Sequence, residues 1–166
     1  MKYLKYIVLL IMFILPCCSP AFFQPIKVGV EYKKEIEHWQ ERIRKEGWTE
    51  NIVNDIIQNC IRLSLYESED YEKNNWKLPK EFIKDGFRGD CEDIMFFCWG
   101  TLKKLEYPNE IRGMAIRMPL GDHAILKVKL PNNKWKTYNP VPIIGDFLDI
   151  AMSRKIVEWN ETKIFY

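Results

Sequence analysis

Apolar positions recur at helical spacing through the first half of the chain and alternate through the second. Glu31–Glu46 is charge-rich, with Ile36, Trp39 and Ile43 on one helical face, and Gly47 is a natural stop. Thr49 suits the N-cap of a second helix. Its apolar positions Ile52, Val53, Ile56, Ile57, Cys60 and Ile61 form a stripe of period 3.6 reaching about Leu65. Residues 67–75 are a polar loop. Pro79 opens a short helix to about Lys84, and Gly86 and Gly89 break the chain around Phe87 and Arg88. From Cys91 to about Lys104, the stripe Ile94, Met95, Cys98, Trp99, Leu102 and Leu105 predicts a core helix.

After Pro108 the period changes. Ile111–Met118 has β character, Pro119–Asp122 is turn material, and His123–Leu130 alternates. Ala124, Leu126, Val128 and Leu130 share one face of that strand, and His123, Ile125, Lys127 and Lys129 the other. Pro131–Lys134 is a second turn before a short strand, Trp135–Asn139. Phe147–Met152 is a further apolar stretch, followed by strands at Ile156–Trp159 and Lys163–Tyr166. Helices first and an antiparallel meander second make a single α+β domain over residues 22–166.

The segment before it has a different character. Lys2 and Lys5 precede an uninterrupted apolar run, Tyr6–Leu15, which as a helix is about 15 Å long, half a hydrocarbon core. That length suits an export signal over residues 1–21 better than a membrane span. Ser19-Pro20-Ala21 fits ordinary signal cleavage, whereas Leu15-Pro16-Cys17-Cys18 is similar to a lipoprotein box with the lipid on Cys17 or Cys18. Both remain open, and they imply a periplasmic or a membrane-anchored protein.

Charge then narrows the partners. The chain has 25 basic and 23 acidic residues; removing Lys2 and Lys5 leaves the two signs balanced. Nucleic acid is excluded as a partner, because neutralising phosphates needs a basic excess. A membrane partner enters only through the lipid anchor.

Chemistry concentrates at Gly89-Asp90-Cys91-Glu92-Asp93. A cysteine that opens a core helix faces the positive end of the helix dipole, which is expected to lower its pKa. His123 follows Cys91 by 32 residues and Asn139 follows His123 by 16. Nucleophile, base and orienting amide are the roles of a thiol triad. His38, the other histidine, reads as a solvated side chain of the first helix. Cys60 reads as a small buried hydrophobe. Cys91, Cys98 and His123 lack a fourth ligand and paired-cysteine spacing, so zinc is rejected.

The run Gly-Asp-Cys-Glu-Asp, the strand-opening His123 and Trp135-Lys-Thr-Tyr-Asn139-Pro140 resemble the transglutaminase-like, papain-like superfamily. Trp76-Lys-Leu-Pro79-Lys-Glu81 upstream is similar to the bacterial transglutaminase-like cysteine proteinases. The likeness spans roughly residues 70–145. It implies a papain-like core in which a helix bearing Cys91 packs on an antiparallel sheet bearing His123 and Asn139. Asn139 departs from the usual aspartate; an amide still accepts an imidazole N–H but helps a developing imidazolium less. The resemblance further implies calcium at Asp90, Glu92 and Asp93, as in some bacterial members, since hard oxygen ligands suit that ion. Helix capping explains the same three residues without a metal.

The expected activity is therefore a cysteine peptidase or amidase acting on a protein or peptide through an acyl-enzyme, with no cofactor required. Cys91 attacks, His123 transfers protons, Asn139 orients the imidazole, and the Cys91 amide supplies one oxyanion donor. Asn74, Asn75 and Trp76 are candidates for the second donor, Trp76 being equally suited to plain core. Two alternatives share the fold: transglutaminase-type acyl transfer to an amine, and a binding module without turnover.

Overall fold

In a computed structural model of the protein, residues 25–67, 76–118, 121–141 and 154–159 are described. The expected signal at 1–21, most of the polar loop, the candidates Asn74 and Asn75, the apolar stretch 147–152 and the last strand fall outside them.

Helix α1 runs Pro25–Glu46, six residues earlier than the polar pattern suggests, with proline in its first turn. Gly47 ends it at φ +70°, its N–H bonding to the Ile43 carbonyl at 2.8 Å. Helix α2 runs Glu50–Leu63; Thr49 caps it by accepting from the Ile52 amide, and the expected stripe Ile52, Val53, Ile56, Ile57 and Cys60 is buried. Helix α3, Pro79–Lys84, has proline in its first turn. Helix α4, Cys91–Lys104, opens on the N-cap Asp90. No helix among the described residues is long and apolar enough to cross a membrane.

The sheet has the order β5-β4-β3-β6. Its strands are β3 (Ile111–Met118), β4 (Gly121–Lys129), β5 (Trp135–Tyr138) and β6 (Arg154–Trp159). All pairings are antiparallel, and β6 returns to the free edge of β3. A second sheet escapes the alternation pattern because its strands have two residues each. β1 (Leu65–Tyr66) pairs in parallel with β2 (Arg88–Gly89), aligning Tyr66 with Gly89. It follows a turn where Gly86 (φ +74°) and Phe87 (φ +61°) both adopt the left-handed conformation.

α4 is the centre of the molecule. The sequence suggests one apolar stripe, yet every residue from Asp93 to Trp99 is buried. Helices α2 and α3 cover one side of it and β3 and β4 the other, so a single face is not enough. Tyr32, Phe82, Phe87 and Phe97 form an aromatic cluster, with ring centroids 5.2–6.1 Å apart. The Tyr32 hydroxyl and Thr101 Oγ1 bond at 3.0 Å, which satisfies two polar groups inside that cluster. On β4, Ala124, Leu126 and Val128 join this core, whereas Ile125 packs with Ile116 in a smaller cluster.

The start of α4 is set by close approach. A Cβ on Gly89 would lie 2.2 Å from Asp93 Oδ2 and 2.7 Å from Asp93 Cβ. Asp93 is buried and holds a main-chain amide, so it cannot swing aside. Gly89→Ala is expected to lower stability by about 1–3 kcal/mol, the usual cost of overpacking, as read in a urea melt. A melt identical to that of the parent protein would show that the approach is slack.

Candidate active site

Asp90 begins the site by ending the loop. Its Oδ1 accepts from the Glu92 amide at 3.2 Å and the Asp93 amide at 3.3 Å. The Cys91 amide, first in the helix, stays outside the helical ladder and is the natural donor to an oxyanion. The Cys91 side chain is turned inward and 7% exposed. Its sulfur lies against the β4 main chain, where the Ala124 amide is within hydrogen-bonding reach.

Ala124 adjoins His123, which is itself buried. His123 Nε2 and Asn139 Oδ1 are 2.6 Å apart. The Val141 amide donates to the same Oδ1 at 3.0 Å. This second bond fixes the amide orientation: an oxygen that accepts from a main-chain N–H receives, not gives, the proton shared with the imidazole. Nε2 therefore carries hydrogen in the neutral ring, and Nδ1 keeps the lone pair needed for a base. The Asn139 Nδ2 atom is buried without a hydrogen-bond partner. β4 and β5 bring His123 and Asn139 together because Tyr138 pairs with Leu126, which sets Asn139 opposite Ile125 at the end of the ladder.

The resting thiol departs from the sequence expectation. Helix position alone argues for a lowered pKa, but burial pushes the Cys91 thiol well above its ordinary value. Glu92 adds to this, because the thiol donates to its Oε2 at 2.9 Å and its charge disfavours a neighbouring thiolate. Asp90 contributes in the same direction, and the Ala124 amide alone opposes them. Desolvation and two carboxylates thus act against the lowering that helix position would give.

The acidic run is engaged locally. Asp90 caps, Glu92 accepts from the thiol, and Asp93 Oδ1 accepts from the Lys77 amide at 2.6 Å. No three histidine, cysteine, aspartate or glutamate side chains among the described residues group as metal ligands. As arranged, Asp90, Glu92 and Asp93 do not converge on an ion.

The remaining candidates separate. Trp76 is not plain core: it is 45% exposed, with its ring 6.0 Å from Phe96. Trp135, which opens the run carrying the resemblance, lies at the sheet surface beneath Arg112 and Lys127. His38 is exposed beside Trp39 and far in sequence from any candidate group. Sequence reading missed the Glu92–thiol contact; a carboxylate directly after the cysteine was its signal, read there as a calcium ligand or as part of the helix cap.

This α+β arrangement is a transglutaminase-like fold. The chain is similar to calcium-bound LapG of Legionella pneumophila at 16% identity, covering 84% of this chain and 85% of that one with a TM-score of 0.57. EGTA-treated LapG matches at 20% identity over 66% and 62% of the two chains, with a TM-score of 0.52. A candidate cysteine protease from Cytophaga hutchinsonii matches at 14% identity and a TM-score of 0.55, over 80% of this chain and 44% of that protein. No family model and no curated protein matches the sequence. At such identities the likeness establishes the fold.

The raised thiol pKa generates a pH test. Neutral thiol is favoured at pH 7, so alkylation of Cys91 by iodoacetamide should climb with pH through the alkaline range. Glu92→Gln keeps an acceptor and removes the charge; it should speed alkylation at pH 7 by about threefold to tenfold and move the profile to lower pH. Peptide mapping of the alkylated cysteine checks both. An unmoved profile would show that Glu92 does not control the thiol.

Proposed function

We propose that the protein is a cysteine peptidase or amidase whose nucleophile is Cys91. The observation that carries the reading is the 2.6 Å contact between His123 and Asn139 beside a main chain that meets the Cys91 sulfur. The likeness to a candidate cysteine protease supports it. Substrate entry moves the thiol proton to His123 Nδ1, and the sulfur attacks the amide carbonyl. The Cys91 amide receives the developing oxyanion, and His123 returns its proton to the leaving amine. Water, deprotonated by the same imidazole, then releases the acid from the thioester. Asn139 keeps the ring in its Nε2–H tautomer throughout.

The substrate is a protein or peptide, and the protein is exported, with a mature start near Cys17, Cys18 or Phe22. The basic residues and apolar run of the N-terminal segment support export. Calcium at Asp90, Glu92 and Asp93 is supported by their hard oxygen donors and by the calcium-bound LapG neighbour, and would require those carboxylates to leave their local partners.

Hydrolysis of a mixed peptide library, read by mass spectrometry, tests the triad, with Cys91→Ala as the zero reference. Asn139→Ala removes the acceptor of both the imidazole and the Val141 amide. It should lower turnover tenfold to several-hundredfold, about 1.4–3.5 kcal/mol of barrier. Asn139→Asp keeps the acceptor and adds a charge beside the imidazolium, so activity should be retained or rise. Wild-type turnover by Asn139→Ala would reduce Asn139 to a turn residue before Pro140. Products carrying an added primary amine in place of water would indicate acyl transfer.

A further inference from the structure

Two large aromatic side chains are half-exposed on segments fastened to Gly89 and Asp93, two residues that touch each other at the start of the helix opened by Cys91. Tyr66 is 56% exposed and Trp76 is 45% exposed, in a protein that buries a continuous aromatic cluster elsewhere. Both are held by main-chain hydrogen bonds to the segment that carries Cys91. Tyr66 is paired with Gly89 in the β1–β2 ribbon, and the next amide, Glu67, donates to the Gly89 carbonyl at 2.8 Å. Gly89 lies two residues before Cys91. The amide of Lys77, next to Trp76, donates to Asp93 Oδ1, two residues after Cys91 in the chain.

Asp93 is unusual among the acidic residues here. It is 1% exposed, whereas a carboxylate is ordinarily kept in water. Its carboxylate lies against the Gly89 backbone on one side and holds the Lys77 amide on the other. The strap it fixes is anchored again by the Lys77 ammonium, which reaches Asp85 at 2.8 Å and the Arg88 carbonyl at 2.9 Å. The Trp76 ring then rests on Phe96. A tryptophan pinned this firmly with half its surface in water presents a fixed apolar wall at low entropic cost.

We propose that Tyr66 and Trp76 form an apolar subsite for aromatic or large aliphatic side chains of the peptide substrate, and that Asp93 is the positioning residue that sets Trp76. The occupant follows from the reaction. A peptide with its scissile carbonyl at Cys91 leaves in both directions at about 3.3 Å per residue, so within two or three residues it passes over the surfaces that flank the nucleophile. The inference rests on the peptidase reading, and it adds which side chains the enzyme selects.

Three alkylating probes separate the two claims. Benzyloxycarbonyl-Phe-Phe chloromethyl ketone and its Gly-Gly counterpart each lose chloride as the Cys91 sulfur bonds to the methylene carbon, the thiol proton passing to solvent. Iodoacetamide reports the thiol without the subsite. The aromatic probe is expected to react about tenfold faster than the glycine probe. Tyr66→Ala and Trp76→Ala should each cut that preference about threefold or more and leave the iodoacetamide rate within about twofold. Asp93→Ala, or Asp93→Leu where the alanine cavity prevents folding, should cut it as Trp76→Ala does. Combined with Trp76→Ala it should add nothing further, because it acts through that residue. Asp93→Asn, which retains an acceptor for the Lys77 amide, should restore the preference. Equal rates for the two ketones, with iodoacetamide still reacting, overturn the subsite alone. Additive losses from Asp93 and Trp76 overturn the positioning role. Failure of Cys91 to react with any probe overturns the peptidase reading, and the subsite with it.

Discussion

The position at which α4 begins decides everything at the site. Asp90 captures the Glu92 and Asp93 amides, and the Gly89 backbone closes on the Asp93 carboxylate. Those contacts leave Cys91 as the first helical residue, with its amide outside the ladder and its sulfur against β4. A helix begun three or more residues earlier would draw the Cys91 amide into the intrahelical hydrogen bonds. The core enforces the placement, because α4 is packed on both sides and has no free face along which to slide.

Around that fixed point, two devices act in opposite senses. The Val141 amide and the imidazole share Asn139 Oδ1, which selects a tautomer with a basic nitrogen to spare. Burial and Glu92 hold the thiol in its protonated form. The resting thiol is thus held neutral, and forming a thiolate there requires a change around the sulfur, such as displacement of Glu92. An asparagine beside His123 adds no charge, whereas a carboxylate there would favour the imidazolium in advance.

Much of this was legible in the residues. The period-3.6 stripe located α2, Pro79 and Gly86 bounded α3, β character located β3, and alternation located β4 with its two faces. The glycine break before Cys91 and the order of His123 and Asn139 marked a hydrogen-bonded pair of residues 16 apart, which the structure joins. What the pattern did not carry was non-local. Strands of two residues have no period, so the β1–β2 ribbon was silent. Helix position argued for an acidic thiol, but desolvation depends on what the fold lays over the sulfur. Trp76 was ambiguous between core and site because an aromatic residue in a short polar context has no neighbours with which to set a period. The buried Asp93 resembled its flanking acids until its Lys77 partner was seen.

The proposed chemistry requires Asn139 to hold the His123 ring with one nitrogen lone pair free. Nitrogen-15 NMR of the imidazole at neutral pH tests it most directly, with Asn139→Ala used to assign the ring. In its neutral form the ring is expected to be protonated at Nε2, with that proton hydrogen-bonded, and to keep a lone pair at Nδ1 that responds when Cys91 is alkylated. A ring protonated at Nδ1, or one whose signals ignore both Asn139→Ala and alkylation of Cys91, would contradict it.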